Sequence, residues 1–229
     1  MTIEQKIEEK TNQVIFNQII NINKPLHWTS FDVCNYLKRK YPKKTKIGHA
    51  GTLDPLATGI LLVAIGKATK TIECLQNQPK TYIATITLGA NTPTYDAEFY
   101  PEIINNTSDI TKEQIIIALQ TFVGTIDQIP PIYSAIKVSG KRSYDLARIG
   151  QIVELKSRKV TIYHIELQDF KQEMGITTFV IEVKCAKGTY IRSLAYDLGK
   201  KLGTGAFLAG LIRTRIGEYS IKESIDLPN

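Results

Sequence analysis

Cysteine is scarce and poorly placed for structural use. Cys34, Cys74 and Cys185 are widely separated and form no C-x-x-C pair, which argues against a disulfide framework and against a zinc site. All three read as small buried hydrophobes. Long apolar runs are missing too: the longest, Ile60 to Ile65, is ILLVAI, far below the roughly 20 residues of a membrane-spanning helix. The first residues, MTIEQKIEEKTNQ, alternate in charge and hold no apolar segment of a secretory signal, so a cytoplasmic protein is expected. Neither H-E-x-x-H nor G-x-S-x-G occurs, which leaves standard zinc and serine hydrolases without support. Gly66-Lys67-Ala68-Thr69 resembles the tail of a phosphate-binding loop, but Leu61 stands where that loop needs glycine. Repeats, low-complexity tracts and linkers are also lacking, which favours one domain over 14–229 behind a polar extension over 1–13.

Acidic residues are in the minority. Twenty-two Asp and Glu against 29 Lys and Arg leave a formal charge of +7 and a pI near 9.2, which favours a polyanionic partner. An apolar content of 43% is that of a packed fold rather than a disordered chain.

The hydrophobic pattern predicts a strand over 14–23 that stops at Lys24-Pro25, then a helix capped by Thr29 or Ser30. Val33, Cys34, Leu37 and Tyr41 follow helical spacing in it, and Pro42 ends it. Ile47 to Gly59, IGHAGTLDPLATG, reads as a loop leading into the strand ILLVAI, with a helix near 68–75 beyond. Lys80 to Leu88 alternates as a strand. Thr111 and Gln114 form a capping box for a helix closed by Gly124. Further strands are expected at 132–138, 160–167 and 177–185, a short helix near 143–149, and a helix from Thr189 to Gly203. Strands and helices interleave without a βαβ rhythm, so the expected class is α/β (α+β), a mixed sheet flanked by helices.

Asp54 before Pro55 is by itself an ordinary turn. Its setting is not: Gly48, His49, Gly51, Thr52 and Asp54 lie within seven residues between a basic helix and a buried strand, where backbone can approach a ligand and a carboxylate can act as nucleophile or base. His49 alone reads as a structural histidine, and Tyr82 alone as a core aromatic. Lys38, Arg39, Lys40, Lys43, Lys44 and Lys46 place six positive charges in nine residues, either a solvated face or a surface for a phosphate backbone. Arg192, beside Gly188, Thr189 and Tyr190 at a helix start, faces an unfavourable dipole. An anion should compensate it, a carboxylate such as Asp54 or a phosphate.

Together these segments resemble the bacterial tRNA pseudouridine synthases of the TruB family, which modify uridine 55 in the T-loop. The resemblance rests on Gly48-His49-Ala50-Gly51-Thr52-Leu53-Asp54-Pro55-Leu56-Ala57-Thr58-Gly59 as catalytic loop. Asn23-Lys24-Pro25, Lys80-Thr81-Tyr82, Pro131 to Lys137, Lys187 to Arg192 and Leu211 to Gly217 support it in order. It implies the pseudouridine-synthase fold, a central mixed and mainly antiparallel sheet with a catalytic cleft, Asp54 as the catalytic nucleophile, Arg192 paired with it and Tyr82 packed on the target base. It also implies RNA contacts from His49, Lys24, Lys43, Lys44 and Tyr190.

The implied partner is the T-arm of tRNA, bound by a monomer with no guide RNA, no metal and no organic cofactor. Family members with a carboxy-terminal PUA domain are longer, so a short form lacking it is expected. In Gly89 to Phe99, Asn91 stands where relatives often carry arginine. The rival from another class is a non-catalytic RNA-binding or tRNA-folding protein on the same fold; a glycosidase using the same carboxylate would release free uracil.

Overall fold

The computed structural model of the protein describes residues 17–103, 105–134, 136–138, 140–143, 146, 151 and 155–228. In chain order they form β1 (Gln18–Lys24), α1 (Ser30–Lys38), β2 (Ile47–His49), β3 (Ala57–Ile65), a 3-10 helix (Gly66–Thr71), α2 (Ile72–Asn77), β4 (Lys80–Leu88), β5 (Ala90–Asn91) and β6 (Glu102–Ile103). There follow α3 (Lys112–Gln120), β7 (Gly124–Gln128), β8 (Lys137–Val138), β9 (Lys141–Arg142), β10 (Arg158–Glu173), β11 (Ile176–Cys185), α4 (Ile191–Leu202), β12 (Ala206–Ile216), β13 (Tyr219–Ser220), a 3-10 turn (Ile221–Glu223) and β14 (Ile225–Asp226). The class is the expected one, mixed α/β with mainly antiparallel pairing. By its contacts the chain divides into two compact units, Met1–Tyr82 with Leu211–Asn229, and Ile83–Gly210.

In the first unit β3 is the central strand. It pairs antiparallel with β1 from Gln18↔Ile65 to Lys24↔Gly59, antiparallel with β2, and parallel with β12 at Leu211↔Ala57 to Arg213↔Gly59. Leu61, Val63 and Ile65 join Ile20, Ile22, Leu227 and the inner face of α1, where Val33, Cys34 and Leu37 are buried with Tyr41. Ile60 and Leu62 point the other way, onto Ala50, Leu75 and Ile216. A strand covered on both faces has no polar side to alternate, which is why ILLVAI is apolar without interruption. Thr29 caps α1 through the expected capping box, reciprocal with Asp32.

The second unit is built on the long β10–β11 hairpin, paired from Ile162↔Cys185 to Glu173↔Ile176 with two register shifts, and β7 adds antiparallel to β10. Phe179, Ile181, Val183 and Cys185 form its buried stripe. The Thr111–Gln114 capping box starts α3, and α4 ends at Gly203 in the left-handed conformation.

Several expectations need correction. β3 begins at Ala57, so the predicted loop is shorter at that end, and His49 lies on a strand rather than in a loop. The helix near 68–75 is a 3-10 segment followed by α2. Residues 132–134 are bends, and among the described residues of the expected strand only Lys137–Val138 pairs. β7 and β12 were not anticipated. Cys74 is exposed, whereas Cys34 and Cys185 are buried as expected. The N-cap of α4 is Tyr190, and the Thr189 hydroxyl donates instead to Ala186 O at 3.0 Å. The extension over 1–13, the strand start at Val14 and most of the helix near 143–149 lie outside the described residues.

Candidate active site

In the first unit, the segment carrying Asp54 joins β2 to β3 and is held by its backbone from two directions. On one side, the Ser30 hydroxyl at the start of α1 accepts from Leu53 N at 2.8 Å and donates to Leu53 O at 3.1 Å. His27 N donates to Pro55 O at 2.8 Å, and Ala57 N donates to Asp54 O at 3.0 Å. On the other side, Arg213 is 1% exposed and donates from Nε to Ile60 O at 2.8 Å, from Nη1 to Thr52 O at 3.4 Å and from Nη2 to Gly51 O at 3.1 Å. Gly51 has φ +103 and Gly59 φ +100, and a Cβ at Gly59 would stand 2.3 Å from Arg213 O. Glycine is therefore required where β3 leaves the loop. Asp54 itself is half-buried.

Lys24 is fully buried, which corrects its expected contact with RNA. Its ammonium donates to Trp28 O at 2.6 Å, Pro25 O at 2.8 Å and, at longer range, Pro55 O at 3.4 Å. Carbonyl dipoles thus take the place of water around the charge. Burial lowers its pKa to about 8, with the Arg213 charge acting in the same direction and Asp54 opposing. Lys24 therefore fixes the turn beside the loop from below.

His49 is half-buried on β2. Burial first, and the Arg213 charge second, lower its pKa, so the imidazole is neutral at pH 7. Its Nδ1 is buried with no hydrogen-bond partner among the described residues. Tyr82 is buried on β4, on the same face as Ala84, Ile86 and Leu88. Lys43 and Lys44 are exposed and line, with Lys38, Lys46 and Thr69, a cavity of about 500 Å³.

In the second unit, Arg192 occupies the first turn of α4 and is 6% exposed. Its guanidinium donates to Thr94 O at 3.2 Å and Tyr133 O at 3.0 Å and lies 3.6 Å from Asp96 Oδ2. Asp96 is thus a carboxylate of the kind the helix dipole argument demands. It is fixed in turn by the Thr94 hydroxyl at 2.6 Å and Glu98 N at 3.1 Å, while Thr92 binds its carbonyl. Tyr190 is half-buried and held by Gln128 through both its N–H and its C=O.

Three residues were seen in the sequence without the contacts described above: Ser30, read only as a possible helix cap, Arg213, within the Leu211–Gly217 motif, and Asp96, noted with Thr92 and Thr94 in Gly89–Phe99. Among the described residues no group of three or more His, Cys, Asp or Glu is placed to hold a metal ion, and no helix is long and apolar enough to cross a membrane.

Comparison with known proteins gives a consistent result. Residues 38–191 match the TruB family pseudouridylate synthase (N terminal domain). A Parabacteroides distasonis protein named tRNA pseudouridine synthase B is 52% identical over 212 residues, covering 90% of this chain and 88% of that protein. A Clostridium tetani protein of the same name is 46% identical over 211 residues, covering 92% and 71%. Among solved structures, a chain from the crystal structure of a Cbf5-Nop10-Gar1 complex superposes with a TM-score of 0.68 at 30% identity. That match covers 93% of the present chain, which spans about half of the solved one.

Proposed function

The chain belongs to the TruB family of pseudouridylate synthases, and from that premise we propose that it isomerises uridine 55 in the T-loop of tRNA to pseudouridine, with Asp54 as nucleophile. The reaction breaks the N-glycosidic bond, turns the uracil and rejoins it to the sugar through carbon. No atom is gained or lost, so no redox cofactor is needed. Asp54 attacks the target nucleotide or the oxocarbenium-like sugar formed from it. The resemblance assigns Arg192 the stabilisation of an ionised carboxylate and Tyr82 the packing on the target base that keeps water away. His49 helps hold the T-loop with its base extruded, a step that costs a few kcal/mol, and the basic surface at Lys43 and Lys44 offsets it. The protein works in the cytoplasm as a monomer, on the T-arm and without a guide RNA.

The observation that best supports this reading is the double bracing of the Asp54 segment, by Ser30, His27 and Lys24 on one side and Arg213 on the other. A nucleophile is effective when its position is set before substrate arrives. The test is site-resolved pseudouridine mapping of an unmodified tRNA transcript incubated with the protein alone, beside Asp54→Asn. Conversion at uridine 55 by the wild type only supports the proposal. Tight binding with no conversion at any uridine would replace it with an RNA-binding or folding role, and release of free uracil with a glycosidase.

A further inference from the structure

Helix α1 presents a second face that the proposed reaction does not use. Asp32, Asn35, Tyr36 and Arg39 recur at the spacing of one helical face, while Val33, Cys34 and Leu37 go to the core. With Trp28, which precedes the helix, these four residues line a cavity of about 170 Å³. That is room for a single flat ring, well under the roughly 300–1,000 Å³ of a site for a whole small-molecule ligand.

The two aromatic rings meet edge to face, with centroids 6.0 Å apart and planes at 66°. Both pack against the core cluster on their inner side and are half-exposed, so they form a stiff corner rather than a mobile pair. The Lys40 ammonium lies 5.1 Å from the Tyr36 ring centre. Among the described residues, neither the Trp28 indole N–H, the Asn35 amide nor the Arg39 guanidinium has a hydrogen-bond or charge partner. Around the end of the same helix, Lys38 and Lys46 with Lys43 and Lys44 line the larger basic cavity. Aromatic faces for bases beside cations for phosphates are the two components of a single-strand site.

The geometry points to a second nucleotide-binding site on α1, in which one unpaired base of the bound RNA lies in the Trp28–Tyr36 corner. Arg39 and the lysine-lined cavity take the adjoining phosphates. This rests on the reading that RNA is the substrate, and it names a contact distinct from the target uridine. Stacking tolerates any base, and the Asn35 amide and Asp32 carboxylate can both meet a base edge.

Trp28 is the only tryptophan in the chain, so its fluorescence reports on this corner. The probe is a short oligoadenylate, which offers no uridine to the catalytic loop, titrated at low salt against the full chain. Saturable quenching is expected, retained in Tyr36→Phe and in Asp54→Asn. Binding should weaken at least about fivefold in Tyr36→Ala, the lower end of a lost base–aromatic stack, and weaken also in Arg39→Ala, a surface change that leaves the core alone. Inorganic phosphate at matched ionic strength should leave the fluorescence unchanged. No saturable quenching, equal quenching in Tyr36→Ala, or equal quenching by phosphate overturns the inference. Pseudouridine mapping on the same preparation separates the two readings: conversion without quenching retires only the α1 site, and quenching without conversion retires only the synthase.

Discussion

Ser30 and Leu53 are joined by a single hydroxyl that both accepts from the Leu53 N–H and donates to the Leu53 carbonyl. The residue that starts α1 thereby determines where the residue before Asp54 sits. Ser30 is 2% exposed, so in Ser30→Ala the two backbone groups lose their partner without gaining water, at a cost of about 1–3 kcal/mol. For a chain of this size each kcal/mol corresponds to about 2–4 °C in the melting midpoint. Calorimetry should show that loss, and kcat should fall more than tRNA affinity. Ser30→Thr, which keeps the hydroxyl, should recover part of both.

Asp54→Asn keeps the shape of the side chain and removes the proposed nucleophile. Turnover should drop by more than about 10³-fold, while tRNA affinity measured by filter binding and the melting midpoint stay near wild type. A parallel loss of binding would make Asp54 a structural residue.

Lys24 gives a pH signature. Its pKa is about 8 in the folded protein against 10.5 for the free side chain. Below pH 8 both folded and unfolded states carry the proton, and the penalty for burying the charge is fully present. Between about pH 8 and 10.5 the folded state releases its proton first, the unfolded state binds more protons, and stability contributed by this group rises with pH. Lys24→Met should flatten that rise in denaturant titrations across the same window. An unchanged slope would mean that Lys24 is not the group responsible.

Gly59→Ala should be among the most damaging small substitutions in the protein. The added methyl would meet the Arg213 backbone at 2.3 Å and sit at φ +100, so strain and overlap combine to about 3 kcal/mol or more. Urea unfolding would show it as a lowered midpoint with an unchanged slope.

The elements legible in the sequence are those whose packing imposes a simple period. β4 and β11 alternate, β3 is apolar from Ile60 to Ile65 because both faces are covered, and α1 and α3 carry reciprocal caps. β7 was missed because it lies at the end of the strand order and alternates only between half-buried and exposed positions until Gln128. β12 was missed because it contains Gly210 and two arginines. One of these, Arg213, is buried because its protons go to backbone carbonyls, and the burial of Lys24 has the same cause. Sequence reasoning treats a cation as a surface group; backbone carbonyls can reverse that, from distant segments for Arg213 and mainly from the adjoining turn for Lys24, and they leave no mark in the residue order. The loop that carries Asp54 was legible as a motif, whereas the bracing contacts of Ser30, Lys24 and Arg213 were not.

The brace from Arg213 also imposes an order of events. It grips Gly51 across 162 positions of the chain, so during synthesis the loop emerges long before the residue that locks it. At about 5–20 residues per second, that interval lasts about 8–30 seconds. Until Arg213 has been made, a nascent chain carries Asp54 in a loop that lacks half of its support. The loop is thereby set by a residue made long after it.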